Sequence, residues 1–128
     1  MKKILLVEDD ESQRLLYRDE LAEAGYEVIL AANGREALNQ LDVAEPDLVI
    51  LDIVMPVMNG METLGRLIRE HRDIPIILNT AYSSYKDDFM SWGADAFVVK
   101  SADLRGLKAK IREIMGESGL PPLEKSLE

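Results

Sequence analysis

The sequence predicts an α/β domain built on a parallel sheet of five strands. Short apolar runs alternate along the chain with segments of helical period, a pattern typical of repeated βα units. The run Leu48–Leu51 has no polar residue on either face, which suits a central strand covered on both sides of the sheet. At 128 residues the chain has the length of one domain with a single core.

The elements are predicted in order from the apolar periods and from residues that stop helices. Gly25, Gly93 and Gly116 each follow a helical stripe, and Pro46 and Pro75 mark returns to extended chain. The predicted strands cover residues 3–7, 26–31, 48–51, 74–78 and 96–99. The predicted helices cover residues 11–24, 35–41, 61–71, 85–92 and 104–115, and helix four, with only Tyr85, Phe89 and Trp92 in its stripe, has the weakest pattern.

Composition excludes several classes of function. The chain has 24 acidic and 15 basic residues and a net charge of -9, which argues against direct binding to nucleic acid. It has no cysteine, so disulfide and zinc-thiolate chemistry are excluded. The first apolar run is too short for a signal peptide or a membrane span. We therefore expect a soluble cytoplasmic protein without a membrane partner, with one domain over residues 1–118 and a flexible tail over residues 119–128.

Polar residues stand at the carboxyl ends of four predicted strands. Ligands of open α/β sheets bind beyond these ends, so residues placed there are expected to share one site. They are Glu8-Asp9-Asp10 after strand one, Asp52 after strand three, Asn79-Thr80 after strand four and Lys100 after strand five.

The chemistry of these side chains is that of phosphoryl transfer to a carboxylate. That reaction needs a nucleophile, a hard cation, a fixed positive charge and a hydrogen-bond donor. Asp52 is the predicted nucleophile, Lys100 the fixed charge and Thr80 the donor. Mg²⁺, or alternatively Mn²⁺, is the predicted cation, and its predicted ligands are Glu8, Asp9, Asp52 and the backbone carbonyl of Val54.

Each of these residues also has a plainer interpretation. An isolated acidic pair is most often a solvated turn or a helix cap, and Asp10 is a good candidate for such a cap. A single threonine or lysine after a strand usually has no special role. The joint placement of these residues at four strand ends favours the site.

The same residues give the chain a close resemblance to the receiver domains of two-component response regulators, over residues 2–116. Each motif is weak alone, but the ordered set is specific. The set comprises Glu8-Asp9, Asp52 with Met55-Pro56 and Asn59-Gly60, Thr80-Ala81, Phe97 and Lys100.

The resemblance implies a doubly wound, flavodoxin-like sheet in the order 2-1-3-4-5 with five flanking helices, a phosphorylatable Asp52 and dependence on Mg²⁺. It implies a phosphohistidine of a sensor histidine kinase or phosphotransfer protein as donor, with small acyl or amido phosphates as substitutes. It also implies that Thr80 and Phe97 form a switch pair, and that a downstream target protein binds the face of helix four, strand five and helix five. Such a domain is not an enzyme beyond its own phosphorylation and dephosphorylation.

Ser101 departs from the family pattern, which usually has proline after the lysine, often with a cis bond. A cis bond costs about 2.5–4 kcal/mol before a residue other than proline, against about 0.5–1 kcal/mol before proline. We therefore predict a trans bond between Lys100 and Ser101. Ser101 and Asp103 are also predicted to cap helix five.

Two rival functions come from other classes. A Mg²⁺-dependent phosphatase with an aspartyl nucleophile usually has a second acid two residues after the nucleophile, where this chain has Val54. A receiver-like interaction module that is never phosphorylated would not need the complete set of acids, threonine and lysine. The start of the sequence and its short tail favour a stand-alone regulator over a receiver cut from a longer chain.

Overall fold

A computed structural model describes residues 1–53, 60–71, 73–81, 92–101 and 103–116. The five strands are β1 (Lys3–Val7), β2 (Glu27–Ala31), β3 (Leu48–Leu51), β4 (Ile76–Thr80) and β5 (Ala96–Val99). The helices of this part of the chain are α1 (Glu11–Glu23), α2 (Gly34–Ala44), α3 (Gly60–Glu70) and α4 (Arg105–Met115). The predicted helix four and tail fall mainly on residues 82–91 and 117–128, outside the described residues. Helix α4 therefore corresponds to the predicted helix five.

The strands form one parallel sheet in the order β2-β1-β3-β4-β5, which confirms the predicted fold class. β1 and β3 lie in the middle, where strands are covered on both faces, and their apolar runs are buried along almost their whole length. Because all strands run in one direction, their carboxyl ends lie at one edge of the sheet.

Alternation along the strands divides the core into two layers, one on each face of the sheet. Leu5, Leu51 and Leu78 face α2 and α3, where Leu41 and Leu64 complete the layer. Leu6, Ile50 and Ile77 face the other way and pack with Leu21 of α1 and Ile111 of α4. We call these two sides the α2/α3 face and the α1/α4 face.

The predicted boundaries agree with the structure to within two residues, except the end of α2, which lies three residues later than predicted. Helix α2 continues to Ala44 and ends where Glu45, directly before Pro46, adopts a left-handed conformation at φ 51°. Strand β4 begins at Ile76 and includes Asn79 and Thr80. Asn79 and Thr80 are therefore paired residues of the sheet, opposite Val98 and Val99.

Two helices begin with side-chain caps that fit their sequences. Asp10 accepts a hydrogen bond from the Gln13 amide at 3.1 Å, which confirms the cap predicted before α1. Asn33 accepts one from the Glu36 amide at 2.9 Å before α2. In the part of the chain that is described, no helix is long and apolar enough to cross a membrane.

Candidate phosphorylation site

The ends of β1, β3 and β5 bring three charged side chains to one face of the sheet. Glu8, Asp52 and Lys100 each come two residues after a side chain of the α1/α4 face, namely Leu6, Ile50 and Val98. Backbone hydrogen bonds extend the pairing of the strands to this level. The Asp52 amide donates to the Val7 carbonyl at 3.2 Å and the Lys100 amide to the Thr80 carbonyl at 2.8 Å.

Lys100 joins the acids of two strands. Its Nζ lies 2.6 Å from Glu8 Oε1 and 2.7 Å from Asp52 Oδ2. The side chains of Glu8 and Asp52 are 2% and 7% exposed, and that of Lys100 is 13% exposed. Charged groups are rarely buried this far without partners. The sequence predicted that these residues meet, and the structure brings them together.

Burial and pairing shift the titration of two of these groups. Burial raises the pKa of Glu8 above its ordinary value, and hydrogen bonds from Lys100 and from the Asp10 amide reverse this only in part. Burial by itself would lower the pKa of Lys100, but hydrogen bonds to Asp52 and Glu8 raise it above the ordinary value. Lys100 therefore stays charged at neutral pH.

The third acid completes a group that can hold a cation. Carboxylate oxygens of Glu8, Asp9 and Asp52 all lie within 4.8 Å of one another. Asp9 is exposed, whereas Glu8 and Asp52 are buried, so the group opens to solvent on the side of Asp9. Its donors are all hard oxygen atoms, the ligands that Mg²⁺ binds in proteins together with retained water, so the residues fit this ion. Val54, the fourth predicted ligand, lies outside the described residues.

The loop between β1 and α1 has hydrogen bonds that hold Glu8 from both sides. The Asp10 amide donates to Glu8 Oε2 at 3.0 Å. Arg14 Nη1, from the first turns of α1, donates to the Glu8 carbonyl at 2.8 Å and to the Asp9 carbonyl at 3.4 Å. Arg14 was missed in the sequence analysis. The signal that was available is a basic residue four positions after the helix cap, within reach of an acidic loop.

The predicted switch residues lie on the α2/α3 side of β4 and β5. Thr80 is fully buried at the end of β4 and follows Leu78 on the α2/α3 face. Phe97 is half-buried, packs against the same layer, and lies opposite Leu78 in the register of β4 and β5. Thr80 and Phe97 are therefore diagonal neighbours on adjacent strands.

The loop after Lys100 differs in part from its prediction. The described residues contain no cis peptide bond, so the Lys100–Ser101 bond is trans, as predicted. Helix α4 has Leu104 at its cap position, and Leu104 makes no side-chain capping bond. Instead the Asp103 carboxylate accepts from the Arg105 amide at 3.0 Å, and Ser101 Oγ accepts from the Asp103 amide at 3.0 Å. Ser101 thus lies three residues before the cap position and does not cap the helix itself.

A parallel sheet in this order, with an acidic group and a lysine at its carboxyl edge, is the architecture of a receiver-type α/β domain. The chain matches the family model described as the response regulator receiver domain over residues 4–112. It belongs to that family.

Solved structures and curated proteins support this assignment. One similar structure is the response regulator protein TrrA from Thermotoga maritima in complex with Mg²⁺ and BeF, with 46% identity, a TM-score of 0.84, and coverage of 89% of this chain and 99% of that one. A second shows TrrA in complex with the histidine kinase ThkA, again at 46% identity, with a TM-score of 0.82 and coverage of 89% and 98%.

Among curated proteins, a probable transcriptional regulator, ycf27, of Cyanophora paradoxa is 40% identical over 124 residues. The match covers 95% of this chain and 52% of that protein. The chain thus spans about half the length of this curated relative.

Proposed function

We propose that the chain is a receiver that takes a phosphoryl group onto Asp52 in a Mg²⁺-dependent reaction and signals by a change of conformation. The observation that carries the proposal is the position of Lys100 Nζ, 2.7 Å from an Asp52 oxygen and 2.6 Å from Glu8, beside a group of three carboxylates. Family membership and a relative solved with Mg²⁺ and BeF support it.

The proposed reaction forms one bond and breaks one. A carboxylate oxygen of Asp52 attacks phosphorus, an acyl phosphate forms, and the bond from phosphorus to the donor breaks. With a phosphohistidine donor the leaving group is the imidazole nitrogen, and with acetyl phosphate it is acetate. Lys100 gives a fixed positive charge next to Asp52, where negative charge gathers, and the Thr80 hydroxyl donates to a phosphoryl oxygen. The chemistry is confined to the chain's own Asp52.

Glu8, Asp9, Asp52 and the Val54 carbonyl would hold the Mg²⁺ ion. When bound, the ion neutralises charge on the phosphoryl oxygens and on the crowded acids. Glu8 and Asp52 both form an ion pair with Lys100, whereas Asp9 lies exposed at the open side of the group. We propose the residues 1–118 as the receiver domain and a cytoplasmic location for it.

The proposal is tested by phosphorylation of the purified chain with acetyl phosphate in the presence and absence of Mg²⁺. We expect one base-labile phosphoryl group, added only with Mg²⁺, and peptide mass spectrometry should locate it on Asp52. Absence of labelling with acetyl phosphate and with any histidine kinase tried would favour the module that is never phosphorylated. Labelling of a histidine or serine would contradict the proposed chemistry.

The metal site gives a prediction about stability. Like charges about 4 Å apart repel by several kcal/mol at an effective dielectric near 20, so a bound cation should stabilise the folded state. We expect millimolar Mg²⁺ to raise the melting temperature of the wild type, and Asp9→Ala to abolish the increase. Asp19→Ala, which removes an exposed acid from α1, is the control and should keep the wild-type response. Equal shifts in Asp9→Ala and the wild type would exclude Asp9 as a ligand.

The switch gives a second prediction. Phosphorylation is expected to draw Thr80 toward Asp52. Because Thr80 and Phe97 are neighbours on one face of the sheet, Phe97 is then expected to turn inward into the space that Thr80 leaves. Thr80→Ala should still be phosphorylated on Asp52, but with a smaller change at Phe97 in NMR spectra recorded with beryllofluoride. Thr63→Ala, which removes an equally buried hydroxyl from α3, is the control. An undiminished response of Phe97 in Thr80→Ala would mean that the coupling takes another route.

The partners proposed are a sensor histidine kinase or phosphotransfer protein as donor, and a target protein that binds the face of β5 and its neighbouring helices. The TrrA structure with ThkA supports a kinase as donor for a protein of this kind. The exposed side chain of Val99 at the end of β5 belongs to the proposed target face.

A further inference from the structure

Arg14 ties the start of α1 to the loop that carries Glu8 and Asp9. Its guanidinium reaches back over the first turn of the helix to two consecutive backbone carbonyls, at 2.8 Å and 3.4 Å. These are the carbonyls of the two residues whose carboxylates belong to the acidic group at the sheet edge. Arg14 itself is partly buried.

The other contacts of this loop among the described residues hold Glu8 and Asp10, and none of them holds Asp9. It leaves the sheet after Val7, with the Glu8 amide still bonded to the Ala31 carbonyl at 3.0 Å. The Asp10 amide then turns back to the Glu8 carboxylate. Asp9 is exposed, and among the described residues its side chain makes no hydrogen bond or ion pair. The direction of its carboxylate therefore depends on the backbone. The Arg14 contacts hold the Glu8 and Asp9 carbonyls, which belong to the two peptide groups that flank the Asp9 Cα.

We infer that Arg14 is a positioning residue for the cation site, which sets the direction of Asp9 by holding the Glu8 and Asp9 carbonyls. The inference rests on the proposed function, because it assumes that these acids bind Mg²⁺. Partners of the ligands, although they never touch the ion, typically change metal affinity by about 10–100-fold when removed.

Electrostatics and positioning predict opposite signs for the loss of Arg14. If the guanidinium acted only through its charge, its removal would make the site more negative and Mg²⁺ binding tighter. If it holds the loop, its removal lets Asp9 turn away and Mg²⁺ binding becomes weaker. The direction of the change therefore separates the two roles.

The test compares Arg14→Gln with Arg18→Gln, which lies one turn later on α1 and pairs with the exposed Asp19 at 3.0 Å. Both variants lose one positive charge from the same helix. We expect Mg²⁺ binding, measured by NMR titration of the phosphoryl-free protein, to weaken roughly tenfold in Arg14→Gln and to stay within about twofold of wild type in Arg18→Gln. Arg14→Lys keeps one donor nitrogen and should recover part of the loss.

A second measurement needs no metal. Amide hydrogen exchange at Asp10, whose N–H is bonded to Glu8, should accelerate in metal-free Arg14→Gln and not in Arg18→Gln. Tighter or unchanged Mg²⁺ binding in Arg14→Gln, or unchanged exchange at Asp10, would overturn the positioning role. Failure of the wild type itself to bind Mg²⁺ would instead overturn the proposed metal site, and with it the inference.

Discussion

Asp52→Asn is expected to reduce phosphorylation to background while the protein stays folded. The amide has the shape of the carboxylate but lacks its negative charge, so it is a poor nucleophile toward phosphorus. Its oxygen can still accept the hydrogen bond that Lys100 Nζ now makes to Asp52 at 2.7 Å. We expect a cooperative melting transition as in the wild type, and no labelling by acetyl phosphate with Mg²⁺ as measured by intact-protein mass spectrometry.

Asp42→Asn is the matched control for this experiment. Asp42 is an exposed acid near the end of α2, beside Leu41 and Glu45 and away from the carboxyl edge of the sheet. The control should be labelled at the wild-type rate. Undiminished labelling of Asp52→Asn would refute Asp52 as the acceptor, and transfer of the label to Asp9 would show that the site attacks phosphorus through a different acid.

The sheet was predictable because its signal is local and repeated. The apolar runs of β3 and β5 have the predicted bounds, since they are flanked by polar residues at both ends. The end of α2 was predicted three residues too early, at Leu41, because the helix continues to Ala44 and stops only where Glu45 takes up the left-handed turn before Pro46. β4 extends through Asn79 and Thr80 because pairing with β5 outweighs the weak strand preference of asparagine.

The site was predictable as a set of strand ends and not as a set of contacts. A run of apolar residues followed by an acid locates Asp52 at the edge of a parallel sheet, whatever the side chains then do. The order of the strands determines that Lys100 reaches both Glu8 and Asp52, and that order came from the family resemblance. The hydrogen bonds from Arg14 to the loop depend on the direction in which α1 leaves the sheet, and the apolar periodicity of the sequence does not predict that direction.

Lys100→Met is expected to destabilise the metal-free protein strongly. Glu8 and Asp52 are nearly inaccessible to solvent and share the Lys100 ammonium. Removal of one partner of a buried ion pair leaves an uncompensated charge and typically costs about 3–5 kcal/mol. Methionine keeps the apolar stem of lysine, so the loss of unfolding free energy measures the contribution of the ammonium group. We expect chemical denaturation in EDTA at pH 7 to show a loss in this range.

Lys108→Met is the matched control. Lys108 Nζ pairs with Glu20 at 2.8 Å, but at side-chain exposures of 24% and 39%. Water screens such a pair, and exposed pairs contribute about 0–1 kcal/mol. A similar, small loss in both variants would mean that Lys100 does not stabilise the buried acids.

The deficit of Lys100→Met should shrink as the pH falls. Burial already raises the folded-state pKa of Glu8 above its ordinary value of 4.5. The contribution of Glu8 to stability is therefore fully present below pH 4.5 and is lost as the pH rises through the folded-state pKa. Lys100 lowers that pKa through its hydrogen bond and its charge. Without Lys100 the pKa of Glu8 rises further, and protonation of Glu8 relieves the repulsion at a higher pH than in the wild type.

Unfolding measured from pH 7 down toward pH 4.5 should therefore bring Lys100→Met and the wild type closer together in stability. Mg²⁺ at pH 7 should restore part of the loss. A difference that stays constant across this range would mean that the destabilisation does not come from the buried carboxylates.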